Sequence, residues 1–349
     1  MLDILSPGAL AALIGCAGGI GLGLAARLGR FCSMGAIEDA LYQGSYIRAR
    51  QWGVAIGVAI IGVFTLIGLS GFDPTASHFL ALRWSPAASI LGGLMFGYGM
   101  ALAGNCGFGA LARLGGGDLR NFVIVIVMGL FSYMALNGPL AELRVVLFPP
   151  APAQNPAGIA HWLNGYGVPL VPAGLSIGLA VLILALSSKS FVSDPKSILW
   201  GGIVGLAITS GWAGTAWLSH LTFEAVPLAS HSFAAPIGDT LFFLMMSSAT
   251  TPSFGIGSVA GVLIGAAIGS RIKGHFRWEA CDDPRELKRQ IGGAALMGVG
   301  AVLAFGCTIG QGISAMSVLA FSAPITVVAI IAGAALGLRH LIYGFSPVT

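Results

Sequence analysis

Nine stretches of the chain, at 8–26, 52–71, 85–112, 121–141, 167–187, 198–217, 236–270, 291–321 and 323–338, contain a single charged residue between them, Asp239. A helix needs ~20 predominantly apolar residues to cross the hydrocarbon of a bilayer, and uncharged runs are its signature. At that depth no water can satisfy the backbone, so crossing segments must be helical or form a closed barrel. The reading is an all-α, polytopic integral membrane protein of about nine spans, forming one transmembrane domain over 1–349. Composition agrees where it bears on this. Charged residues make up 9% of the 349, against about 25% in a soluble domain, too few to cover a surface of this size facing water.

Nine crossings with the N-terminus outside would put every basic residue except Arg83 and Arg144 on the cytoplasmic side, out of 17 in all. Lys and Arg concentrate in cytoplasmic loops, so the C-terminus is expected inside and the protein in a bacterial inner membrane. The start, Met1-Leu-Asp-Ile-Leu, lacks the basic region of a signal peptide, and the first helix is expected to be kept. The net charge of +4 is small and scattered, which gives nucleic-acid binding no support.

Several runs carry interruptions that a plain spanning helix would not tolerate: Gly104-Asn-Cys-Gly-Phe-Gly109, Thr250-Thr-Pro252 and Gly306-Cys-Thr-Ile-Gly310. These predict broken or re-entrant helices. Two of them belong to an ungapped repeat, G-x-G-x-x-x-A-x-x-C-x-x-G. It is met first at Gly97, Gly99, Ala103, Cys106 and Gly109, then at Gly298, Gly300, Ala304, Cys307 and Gly310. In the topology above the two copies run in opposite directions, the pattern of inverted-repeat transporters whose sites lie at mid-membrane where discontinuous helices meet. The half-repeats are expected at 1–147 and 167–349, joined by a Pro-rich outer linker at 148–166.

On a helix Gly99, Ala103 and Cys106 share a face, as do Gly300, Ala304 and Cys307. Small residues there leave room beside each thiol. The glycines around the breaks (Gly104, Gly107, Gly109, Gly306 and Gly310) let backbone N–H groups turn toward that space, and such turns attract anions. Cys32, in Gly29-Arg-Phe-Cys-Ser-Met-Gly35, sits among Arg27, Arg30, Glu38 and Asp39, as at the mouth of a path. Cys16 reads as a small buried hydrophobe, and Cys281, between acids in a loop, as inert. Asn105, Thr308 and Gln311 could either donate to a ligand or satisfy carbonyls freed by the breaks. His220 and His231 read as interfacial. Asp239 is an acid either at depth, where acids are functional, or at the interface. Trp200, Trp212 and Trp217 fit aromatic belts or packing, and Pro252 and Pro324 fit helix starts or kinks. Neither a metal-ligand cluster nor a phosphate-binding G-x-x-x-x-G-K-[ST] loop is found in the sequence, so no metal, cofactor or nucleotide hydrolysis is expected.

With these residues in view, the chain resembles the YeeE/YedE family of bacterial sulfur-compound permeases. The likeness is carried by Gly29-Arg-Phe-Cys-Ser-Met-Gly-Ala-Ile-Glu-Asp39, Gly104-Asn-Cys-Gly-Phe-Gly-Ala-Leu-Ala-Arg-Leu-Gly-Gly-Gly-Asp118 and Gly306-Cys-Thr-Ile-Gly-Gln-Gly-Ile-Ser314. The resemblance implies thiosulfate import along a path lined by three cysteines, which fall on Cys32, Cys106 and Cys307. It also implies a partner, a small cytoplasmic sulfur carrier of the TusA type. The expected activity is therefore transport, not catalysis, with neutral thiols acting as serial weak donors. Thiols are expected to stay neutral because free cysteine ionises near ~8.5. The rival readings are a membrane thiol enzyme and a sulfur-relay subunit that acts with a partner protein.

Overall fold

The computed structural model describes residues 6–222, 226–280 and 283–344. The first part of the chain forms α1 (Pro7–Leu28), the short α2 (Ser33–Glu38), α3 (Ile47–Ser70), α4 (His78–Ala81), α5 (Pro86–Ala103), α6 (Gly107–Gly115), α7 (Arg120–Leu136) and α8 (Ala141–Leu147). The remainder forms α9 (Ile159–Asn164), α10 (Leu170–Leu186), α11 (Lys189–Val192), α12 (Pro195–Leu221), α13 (Ala235–Met245), α14 (Phe254–Ile272), α15 (Pro284–Leu303) and α16 (Ser322–Tyr343). A π-helical turn, Gly310–Ala315, lies between the last two. Among the described residues there are no strands, only isolated bridges.

Helix starts are written into the sequence. Ser6-Pro7, Ser85-Pro86, Asp194-Pro195 and Asp283-Pro284 each place a capping oxygen just before a first-turn proline. The side chain takes an otherwise unpartnered N–H, and the proline occupies a position where no N–H is needed. Pro324 likewise falls in the first turn of α16.

The chain is a multi-pass membrane protein, but the expected nine spans are not reached by length and apolarity. Six described segments qualify, counting α5 with α6 as one, or seven if α7 and α8, bent by 56°, form one crossing. The physical reasons are local. The run 236–270 divides into the short α13 and the full α14 at Thr250-Thr-Pro252. The first turns of α15 carry Arg285, Glu286, Lys288 and Arg289, and α10 has only 17 residues.

Helices surrounded by lipid gain little from hiding apolar surface from one another, so close backbone approach has to hold them. Gly15, Gly19 and Gly23 of α1 face α14, whose Gly257, Gly261 and Gly265 face α1. A Cβ at any of the six would collide with the backbone of the opposing helix. Gly92 and Gly99 of α5 meet Gly300 and Gly293 of α15 in the same way. Replacing any of these with a larger residue would wedge the frame apart.

The packed pairs form a pattern. α1 lies on α14 as α12 lies on α3, and α5 lies on α16 as α15 lies on α7. α2 touches α3 and α16, while α13 touches α14 and α7. α6 meets α14 and α7, and the Gly310–Ala315 turn meets α3 and α16. The central contact, α5 with α15, maps onto itself. α10, packed on α3, lies outside this exchange. The segment before α10 docks at the end of the π-helical turn, where Ile159 N–H donates to the Leu319 carbonyl at 2.8 Å.

Candidate functional site

Each of the three singled-out cysteines follows a reversal of the chain and starts a short helix. Two residues before it the backbone turns left-handed: Arg30 at φ 51°, Gly104 at φ 77° and Phe305 at φ 56°. Only glycine adopts that geometry without cost. For Arg30 and Phe305 the strain is of order 1–3 kcal/mol, which persists where surrounding structure imposes it and clusters at functional sites. The next helix begins at the thiol. Cys32 Sγ accepts the Gly35 N–H at 3.5 Å, Cys106 Sγ the Gly109 N–H at 3.4 Å and Cys307 Sγ the Gly310 N–H at 3.5 Å. A Cys-x-x-Gly turn thus occurs three times. In each, sulfur spends a lone pair on the backbone and keeps its S–H available as a donor.

Cys106 is 1% exposed and Cys307 fully buried, whereas Cys32 is half-buried. Cys32 shares a cavity wall with Gly104 and Gly109, which flank Cys106. Cys307 also receives the Phe233 N–H at 3.3 Å and has Ser232 Oγ 3.9 Å away. The Phe108 and Phe233 rings, 5.3 Å apart and both buried, belong to the same apolar core as the two central cysteines.

Two cavities approach the row from opposite ends. A cavity of about 310 Å³ has Cys32, Gly104 and Gly109 in its wall together with Arg27, Arg30, Arg48, Arg113, Lys273 and His275, opposed by Glu38 alone. The other, about 610 Å³, reaches Ser232, Phe305 and Gly306 and carries His78, Arg144 and Asp239. Neither central thiol lines either cavity.

The supporting residues divide between scaffold and unspent polarity. Gln311 donates to the freed Ala304 carbonyl at 2.7 Å and accepts from Ser322, so it caps the broken helix. Asn105 bonds Asn121 at 2.8 Å but leaves its buried Oδ1 unpartnered, as is the buried Thr308 Oγ1. A Cβ at Gly107 would meet the Met128 side chain and the Phe233 carbonyl. Asp239 lies half-buried on α13, in the wall of the second cavity. Cys16 packs on the α14 glycine face, and Cys281 lies outside the described residues.

His231 is not interfacial. It is fully buried, with Nδ1 2.6 Å from Ser258 Oγ, because it anchors an extended segment that the structure inserts between helices. His220 is exposed as expected. Sequence reasoning missed that inserted segment, Ser232 and Phe233 included. The available signal was weak, since nothing but polar and small residues marks it.

Broken helices in a multi-pass α-helical frame, with half-helix starts turned toward a buried row between two cavities, define the class as a membrane transporter. Residues 28–336 match the family described as Sulphur transport, and the chain belongs to that family. It is 28% identical to the thiosulfate transporter TsuA of Escherichia coli K12, over 89% of each chain. It is 24% identical to the TsuA of Spirochaeta thermophila, over 86% of this chain and 90% of that one. A probable transporter, YedE of E. coli K12, is 30% identical over 27% of this chain and 22% of its own. These relatives are named as transporters, and the role here is transport without enzymatic chemistry.

Proposed function

We propose that this protein imports thiosulfate, or a closely related small sulfur-containing anion, passing it from Cys307 through Cys106 to Cys32. The carrying observation is the threefold Cys-x-x-Gly turn, with its thiols in a row that runs toward a basic cavity. The names of the full-length relatives support the substrate. The concentration of Arg and Lys at one end supports reading that end as cytoplasmic, in an inner membrane, with the N-terminus outside and the C-terminus inside. The half-repeats at 1–147 and 167–349 supply one central cysteine each.

The energetic problem is dehydration. Moving a singly charged ion into a medium of ε ≈ 4 costs ~20 kcal/mol in the Born picture, and the cost grows with the square of the charge. Neutral S–H donors replace water along the row, each sulfur held by the amides that donate to it, those of Gly35, Gly109, Gly310 and Phe233. Each contact is weak enough to release the ion to the next, as conduction requires. A thiol enzyme would need a base beside a thiolate. Among the described residues the central sulfurs instead accept backbone amides, with the Ser232 hydroxyl as the one side-chain neighbour. A TusA-type sulfur carrier is the receiver we assign to the basic face.

Uptake of labelled thiosulfate by proteoliposomes containing only this protein tests the reading, with Cys32→Ser, Cys106→Ser and Cys307→Ser in parallel. Uptake by the native protein and impaired uptake by the variants is expected. Full-rate uptake by all three variants would sink the relay, and no uptake of any sulfur anion by the native protein would sink the transport reading.

A further inference from the structure

The packing exchange described above pairs α2 with α13 and α3 with α14. Cys32 stands just before α2, so the exchange asks what the extended segment that leads to the Ala234 cap of α13 presents. The sequence answers in a register of 200. Cys32, Ile37, Asp39 and Leu41 correspond to Ser232, Ile237, Asp239 and Leu241. The central cysteines correspond in a register of 201, one residue longer. Ser232 is thus the counterpart of Cys32.

The geometry follows the same exchange. Cys32 lines the basic cavity and Ser232 lines the opposite one. Cys32 shares its cavity wall with Gly104 and Gly109 of the Cys106 turn, and Ser232 Oγ lies 3.9 Å from Cys307 Sγ. A Cβ on Gly310 would come 2.6 Å from Ser232 Oγ, so the glycine of the Cys307 turn keeps the space around this hydroxyl open.

The hydroxyls of Ser230, Thr215, Ser314 and Ser258, within or against this segment, are committed to scaffold. Ser230 donates to the Ile208 carbonyl at 2.8 Å, Thr215 to the Ala229 carbonyl at 2.8 Å and Ser314 to the His231 carbonyl at 2.6 Å, while Ser258 holds His231. Ser232 has no partner among the described residues closer than the loose Cys307 contact. A rigid segment therefore presents one uncommitted O–H to the cavity.

We propose that Ser232 is a fourth ligand of the transported anion, taking it at the cavity opposite the basic face before Cys307 does. This rests on the transport reading above. A hydroxyl is a harder and stronger donor than a thiol and suits the oxygens of a sulfur oxyanion. The row then runs Ser232, Cys307, Cys106, Cys32, with O–H at the inlet and S–H beyond it.

Uptake kinetics in proteoliposomes test the assignment. Ser232→Ala should raise the thiosulfate KM by about tenfold, the scale of one lost hydrogen bond to a charged group, with the maximal rate little changed. Ser232→Cys should restore KM substantially, since it returns a donor. In addition, Ser232→Cys should become sensitive to a membrane-impermeant methanethiosulfonate applied opposite the basic face, and thiosulfate should protect it. An unchanged KM in Ser232→Ala, a loss that Ser232→Cys does not rescue, or labelling that thiosulfate does not slow would each overturn the proposal. None of these touches the transport reading, which falls only if the native protein carries no sulfur anion.

Discussion

Asp39 and Asp239 stand at matching places near the two cavities, and their surroundings treat them differently. Asp39 is mostly buried and ion-paired with Arg48 at 3.2 Å, among the Arg and Lys residues of the basic end. Asp239 is half-buried, and none of the ion pairs among the described residues includes it. The nearby Arg144 directs its guanidinium to the Ala135 and Leu136 carbonyls, capping α7. Two ends with related helix packing therefore differ in potential: one wall carries a strong excess of Arg and Lys, the other sets Arg144 against Asp239. The asymmetry between the ends lies in side-chain charge, laid over helix packing that the two ends share.

That contrast can be attacked by mutation. The largest effect should come from the part the two ends share. Cys106→Ala or Cys307→Ala should cut thiosulfate uptake by about a hundredfold, the scale of removing one donor from a preorganised anion site. Uptake near the native rate in both would show that the row is packing and that the ends alone matter. Arg113→Gln, at an exposed position in the basic wall, should slow uptake by about threefold at low ionic strength and have little effect in high salt, where charges are screened. A salt-independent defect would point to structure instead of field. The smallest change should be a gain. Asp239→Asn removes an uncancelled negative charge from the inlet and should lower KM by about twofold, the modest scale of partly exposed charges. Asp39→Asn, whose charge Arg48 already cancels, should show no such gain, and equal behaviour of the two variants would erase the distinction drawn above.

Much of this was legible in the residues. Uncharged runs marked the membrane helices, and glycine around a cysteine marked the breaks at Cys106 and Cys307. The same small residues that announce a break also allow α5 and α15 to touch, which is why the repeat was visible. The span count was not legible, because hydropathy cannot separate one long helix from a half-helix and a full one within 236–270. His231 looked interfacial because an imidazole flanked by serines resembles a loop. Only the fold shows that Ser258 and Ser314 meet it and its carbonyl inside the protein. Gln311 was ambiguous on paper for a good physical reason: the amide that could hold a ligand is equally suited to the Ala304 carbonyl, and the structure spends it there. Ser232 stayed hidden because the repeat slips by one residue between the two pairs of counterparts.

The paired rings of Phe108 and Phe233 carry one more consequence. A cell that stores energy as an ion gradient needs its membrane proteins to be electrically tight at rest. Two buried aromatic rings stand in a stretch where neither central cysteine lines a cavity, and close packing of that kind leaves no continuous file of water for protons to hop along. On the proposed path a large, polarisable anion would pass such a point by brief contacts, while the smallest and most damaging leak would be denied its wire.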